Sequence, residues 1–163
     1  KRNQDEIWNY QQISIGLNYR MTDIAASLGL KQLEKLDYFI EKRREIANFY
    51  NEKLKHLPIR RQLEIEDSKS TYHLYVIRLN LNNREINQRK IYNKLTELGI
   101  LVNIHYIPVY RQPFYEDMGF LPGYCPEAEH YFKETLSIPI YPDMTIDDLN
   151  YVKDCLEKVL GTN

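Results

Sequence analysis

From Ile24 onward, Leu28, Leu33, Leu36, Ile40, Ala47, Tyr50, Leu54 and Leu57 recur at roughly helical spacing, and this run constrains the fold most. Apolar residues three and four apart lie on one face of an α-helix, so the stripe predicts a helix with one buried side. It outlasts the usual globular helix and therefore predicts two helices, or one bent helix, with the break near Asp37. Thr22 or Asp23 can cap the start by accepting a bond from an unpaired backbone N–H. Ala25-Ala26-Ser27-Leu28-Gly29 is narrow enough for another backbone to approach closely. Glu41-Lys42-Arg43-Arg44-Glu45 reads as a solvated face, and Pro58 as the end of the run.

Beyond Pro58 the pattern changes. Ser70 to Asn80 is rich in aromatic and β-branched residues and is bounded by Asn80 and Asn82-Asn83, so it reads as a strand. Ile91, Leu95 and Leu98 form a second helical stripe that stops at Gly99, the residue most at ease in a left-handed cap. Ile100 to Ile104 reads as a short strand, followed by a Pro- and Tyr-rich loop from His105 to Pro126. Pro126 suits the first turn of a helix running to about Glu134, because its missing N–H costs nothing there. Leu136-Ser137-Ile138 is extended. Thr145 with Asp148 resembles a capping box ahead of Leu149, Val152, Leu156 and Val159, with Gly161 as the stop. Helices set against a small sheet make this an α+β domain: a long bent helix plus a small sheet with helices packed on it.

At 163 residues the chain fits one compact domain, and 43% hydrophobic residues is a soluble globular composition. A net charge of -1 lacks the basic excess that a nucleic-acid partner demands. No apolar run approaches the ~20 residues needed to cross a bilayer. Cys125 and Cys155 have no metal or redox spacing, and with no signal peptide in sight they predict a reduced, cytoplasmic compartment and no metal. The polar opening from Lys1, without a preceding core strand, predicts a chain that belongs to something longer.

Two places carry ligand chemistry. In Gly16-Leu17-Asn18-Tyr19-Arg20, an amide that can donate to an anion and a guanidinium that can grip phosphate or carboxylate precede a helix. Read without other support, this is more often an Asn-containing turn with a surface Arg. His105-Tyr106 leaves a strand end for an irregular loop, where a scaffold concentrates binding groups. An equal alternative makes His105 a bonded core histidine, with Tyr106 and Tyr110 covering the sheet edge. His73, inside the strand, reads as structural, and Met21, Met118 and Met144 as gap-fillers. Fourteen tyrosines favour a protein interface or a sugar-binding surface without deciding between them. No lysine has the desolvated surroundings that make an amine nucleophilic, so no catalytic residue is assigned.

Five segments together resemble a known family. They are Gly16-x-Asn18-Tyr19-Arg20-Met21-Thr22-Asp23 leading to Gln32-Leu33, Arg43-Arg44-x-Ile46-Ala47-x-x-Tyr50, Tyr72-His73-Leu74-Tyr75, Gly99-Ile100 followed by His105-Tyr106-x-Pro108, and Leu136-Ser137-Ile138-Pro139-x-Tyr141-Pro142-x-Met144-Thr145. In this order and spacing they are similar to the C-terminal part of the DegT/DnrJ/EryC1/StrS aminotransferases. Trp8-x-Tyr10 and the stretch 105–115 resemble one subfamily of its sugar aminotransferases.

The resemblance implies that residues 1–163 are the C-terminal portion, including the small domain, of a fold-type-I enzyme, without its N-terminal cofactor domain. It implies pyridoxal phosphate as cofactor, a nucleotide-linked 4-keto-6-deoxy sugar as substrate, glutamate as amino donor and a homodimer. Asn18 would reach the cofactor phosphate of the neighbouring subunit and His105 and Tyr106 would face the substrate, while Arg20 would either face the substrate or fix the dimer interface. The lysine that anchors the cofactor lies upstream in that family, so this stretch alone would be inactive. The competing expectation is a non-enzymatic α+β interaction module whose tyrosines form a binding face.

Overall fold

The computed structural model describes residues 14–81 and 87–161. Lys1, Trp8, Tyr10 and the Asn82-Asn83 boundary lie outside the described residues. The chain divides into two compact units, Lys1–Leu36 and Asp37–Asn163.

In the first unit, helix α1 spans Asp23–Leu33 and starts where Thr22 accepts a hydrogen bond from the Ala25 N–H. None of its residues is buried. Ile24, Leu28, Leu30 and Leu33 are all more than 60% exposed, so the first part of the predicted stripe has no cover among the described residues. The helical run breaks at Glu34-Lys35, slightly before the expected Asp37. Helix α2, Leu36–Lys53, follows and ends ahead of Pro58.

The second unit holds a three-stranded antiparallel sheet in the order β1 (Ile59–Arg61), β2 (Tyr75–Leu79), β3 (Thr135–Ile138). Helix α3 (Gln88–Glu97), a single 3-10 turn (Val109–Arg111), the short helix α4 (Pro113–Glu116) and helix α5 (Pro126–Glu134) lie between β2 and β3, and helix α6 (Ile146–Leu160) closes the unit. Tyr75, Ile77 and Leu79 alternate with half-buried Val76 and Arg78, the period of two expected of a strand with one core face. Opposite them, Ile138 pairs with Tyr75 and Leu136 with Ile77. Ile46, Ala47 and Tyr50 of α2, Ile91 and Leu95 of α3, and Leu149, Val152 and Leu156 of α6 join one apolar core.

Two phenols sit inside that core without being orphaned. The Tyr50 hydroxyl donates to the Pro139 carbonyl at 2.8 Å, and the Tyr75 hydroxyl to Asn51 Oδ1 at 2.6 Å. Burial pushes both phenols well above the ordinary tyrosine range, so they stay neutral donors. Gly99 ends α3 with φ +76, and Gly99 and Ile100 bond back to Thr96 and Leu95. Helix α5 begins at Pro126, and α6 begins with a complete capping box between Thr145 and Asp148.

Several expectations are corrected. The strand predicted at Ser70 to Asn80 is confined to Tyr75–Leu79, and His73 lies exposed before it. The strand predicted over 100–104 is reduced to one bridge between Asn103 and Ser137. Strand β1 was not foreseen. Met144 packs against the core as a gap-filler, whereas Met21 and Met118 are exposed at 75% and 63%. Arg43 and Arg44 are not merely solvated: Arg43 donates to the carbonyls of Ile140 (2.9 Å) and His73 (3.3 Å), and Arg44 to that of Ser70 (2.9 Å) while pairing with Glu64. These bonds tie α2 to the segments flanking β2 and β3. Lys42 and Glu45, by contrast, do form an outer ion pair.

Candidate functional site

In the first unit, Asn18 and Arg20 occupy an exposed segment without regular secondary structure, just before the Thr22 cap. Asn18 adopts φ 54, the left-handed region, which asparagine tolerates better than other side-chain-bearing residues. The peptide direction there is thus set by the residue type, and it fixes how the amide leaves the turn. The N-terminus of an eleven-residue helix follows, whose dipole favours an anion. Asp23 in the first turn and Arg20 before the cap offset one another in charge. The turn therefore offers an anion directed N–H donors rather than net positive potential.

In the second unit, His105 and Tyr106 follow the Asn103 bridge. His105 is half-buried, and its Nδ1 lies 2.8 Å from the Ser137 hydroxyl of β3. This bond fixes the ring plane and gives Nδ1 a partner, which leaves Nε2 as the nitrogen for another group. Tyr106 packs its ring edge-to-face on the imidazole at 4.6 Å and is itself 72% exposed. His105 is therefore bonded, as the structural alternative expects, but it is not sealed in the core.

The loop beyond is built around one carboxylate. Glu129 accepts hydrogen bonds from the Gly123 N–H (2.7 Å) and the Tyr110 hydroxyl (2.7 Å), with Arg111 3.5 Å away. The Gly123 N–H, followed by the Tyr110 hydroxyl, holds the Glu129 carboxyl below its ordinary range. Tyr124 packs its ring against those of Tyr110 and Phe120 in the same loop. Tyr110 therefore supports the loop rather than the sheet edge. Ser137 and Glu129 are the positioning groups that the sequence reading missed. The only signal for Ser137 was a serine between two core residues on a strand.

None of the described lysines is buried. Lys42 and Lys153 are held above the ordinary amine range by hydrogen bonds to Glu45 and Asp154. A neutral nucleophilic amine needs the opposite shift. The Asn18 amide and the α1 N-terminus have the donor chemistry that a phosphate group needs, and no described lysine has the surroundings that a carbonyl-binding amine needs.

This arrangement of helices on a small antiparallel sheet is that of sugar aminotransferases. A family model described as the DegT/DnrJ/EryC1/StrS aminotransferase family matches residues 1–157, and the chain belongs to that family. Over 156 residues it is 36% identical to UDP-4-amino-4,6-dideoxy-N-acetyl-beta-L-altrosamine transaminase of Campylobacter jejuni, covering 94% of this chain and 41% of that one. Helicobacter pylori PseC, an aminotransferase involved in the biosynthesis of pseudoaminic acid, superposes with a TM-score of 0.85 at 26% identity, covering 96% of this chain and 42% of the other. Spr1654 of Streptococcus pneumoniae in its PLP form superposes with a TM-score of 0.82 at 27% identity, covering 94% and 40%. The chain thus spans about 41% of the length of the curated relatives it matches.

Proposed function

We propose that this chain is the C-terminal portion of a pyridoxal-phosphate-dependent aminotransferase that aminates the C4 keto group of a nucleotide-linked 4-keto-6-deoxy sugar. Glutamate is the amino donor in this reading, and the working enzyme is a cytoplasmic homodimer. Family membership supports the reaction class, and the name of the Campylobacter jejuni relative supports the sugar class. The observation that carries the reading is the left-handed Asn18 set immediately ahead of a capped helix N-terminus.

When bound, the cofactor supplies the electron sink for moving an amino group between two carbonyl carbons. This chain supplies binding and orientation. The Asn18 side-chain N–H donates to a phosphate oxygen without adding charge, and the α1 dipole favours the same anion. Arg20 offers a two-pronged grip to an anionic part of the substrate. His105, with Nδ1 engaged by Ser137, keeps Nε2 for a sugar hydroxyl or carbonyl oxygen, and Tyr106 offers a flat face to the sugar ring. Holding reactants in register lowers a barrier by several kcal/mol without any covalent role for these residues.

The lysine that would anchor the cofactor has no counterpart among the described residues, so this stretch alone does not turn over. The test is to supply the full-length protein with a UDP-linked 4-keto-6-deoxy sugar and glutamate, and to follow the amino sugar and 2-oxoglutarate by mass spectrometry. Stoichiometric formation of both supports the reading. Reaction only with simple keto acids overturns the sugar assignment.

A further inference from the structure

We infer that the sheet face bearing Arg60 and Arg78 carries an oxyanion site that takes a phosphate or pyrophosphate group. This inference is independent of the aminotransferase reading. Register places Arg60 directly opposite Arg78 across the β1–β2 pair. Like charges at directly opposed positions destabilise an antiparallel pair, so the fold gains nothing from the placement by itself. One carboxylate serves both: Glu134 Oε2 is 2.9 Å from Arg78 Nη2 and 3.5 Å from Arg60 Nη2. Arg61, the next residue, lies on the opposite face of the sheet, where its guanidinium donates to the Asn51 carbonyl, so it takes no part in this site. Two guanidiniums and one carboxylate leave an excess of one positive charge beside a cavity of about 280 Å³, which Gln62, Val76 and Tyr131 help to line.

Protection of a sheet edge explains an arginine on β1, which is an edge strand. It does not explain Arg78, whose strand is paired on both sides and whose side chain is only 32% exposed. Pairing with Glu134 accounts for Arg78 but not for a second arginine set against it. The Tyr131 ring, 5.9 Å from Arg78 Cζ, adds a flat wall that orients the guanidinium. A phosphate oxyanion matches the sign of the charge excess and the forked N–H geometry of the two arginines.

The test is calorimetric titration of the chain with inorganic phosphate and with pyrophosphate at about 0.1 M salt, where exposed charges more than ~10 Å apart are screened. Saturable one-to-one binding is expected. It should weaken about tenfold or more in Arg60→Gln and in Arg78→Gln and remain unchanged in Lys158→Gln, a control on α6. The Arg60 side chain is 64% exposed, so Arg60→Gln should keep the wild-type circular dichroism spectrum and melting temperature even if Arg78→Gln does not. Absence of saturable binding to either anion, or equal weakening by Arg60→Gln and Lys158→Gln, overturns the site.

Discussion

The His105 imidazole and the Ser137 hydroxyl meet at 2.8 Å, joining the first residue of the Pro- and Tyr-rich loop to a strand whose four residues are all buried. The same two segments are also zipped by paired backbone bonds between Asn103 and Ser137. Ser137→Ala removes only the side-chain link, because the backbone bridge does not need the hydroxyl. The ring then loses a bond of about 0.5–1.5 kcal/mol and the partner that distinguishes its two nitrogens. The ring should then sample more than one orientation, seen in NMR as broadened His105 ring-proton resonances and weakened ring-proton contacts to β3 in Ser137→Ala. Unchanged line widths and contacts would mean that Ser137 does not orient His105.

The Pro- and Tyr-rich loop should loosen in acid through Glu129. Its carboxyl is held below the ordinary value of 4.5 by the Gly123 N–H and the Tyr110 hydroxyl. A group with a depressed folded pKa contributes stability that is complete above its unfolded pKa and is lost as pH falls through the folded value. The loop should therefore be intact above about pH 4.5 and progressively open to proteases below it. Glu129→Gln should be cut within residues 109–125 at neutral pH and show a flatter acid response. Equal protease resistance of wild type and variant across this range counts against the tether.

Elements defined by local chemistry were legible in the sequence. The Thr145–Asp148 capping box, the Pro126 start and the Gly99 stop each depend on residues within one turn, so composition alone places them. Strand β1 has a single apolar residue, Ile59, and exists through pairing with β2, which no local pattern announces. Arg43 and Arg44 looked solvated because their carbonyl partners lie 26 to 97 residues away. His105 and Tyr106 could be singled out as a strand-end pair, but Ser137 could not. A serine flanked by Leu136 and Ile138 reads as an outward-facing strand position, and the covering imidazole comes from a distant loop.

The α6 cap offers a quantitative check. Thr145 accepts the Asp148 N–H at 3.2 Å, while the Asp148 carboxylate accepts the Thr145 N–H at 2.8 Å. Losing such an N-cap costs about 1 kcal/mol. Thr145→Ala should therefore lower the melting temperature by roughly 3 °C, and Thr145→Ser should restore most of it. A melting temperature unchanged in Thr145→Ala would show that α6 is held by its apolar face alone.

Helix α1 predicts association. Ile24, Leu28, Leu30 and Leu33 stand 62% to 84% exposed on a helix without a buried residue, and Leu17, Tyr19 and Met21 before it are at least 75% exposed. Apolar surface on this scale is unusual for a soluble monomer. The chain on its own should self-associate in sedimentation velocity at micromolar concentration, and Leu28→Gln with Leu33→Gln should shift it toward monomer. Strictly monomeric behaviour across a wide concentration range contradicts this.

Asn18 separates backbone from side chain in the proposed cofactor role. At φ 54, an alanine pays about 1–2 kcal/mol of strain that glycine avoids, so Asn18→Ala mixes strain with loss of the amide. Asn18→Gly keeps the turn and removes only the donor. A hydrogen bond to a charged acceptor contributes roughly 1.5–3 kcal/mol, so Asn18→Gly in the full-length enzyme should weaken pyridoxal phosphate retention by about one to two orders of magnitude. Asn18→Ala should match or exceed that loss, and the exposed position should spare the fold in both. If Asn18 serves the neighbouring subunit, mixing Asn18→Gly with a variant lacking the cofactor-anchoring lysine should restore one working site per heterodimer. Equilibrium dialysis measures the first expectation and activity recovery on mixing the second. Unchanged retention in Asn18→Gly removes Asn18 from the phosphate site, and normal loss without recovery on mixing places it in the site of its own subunit.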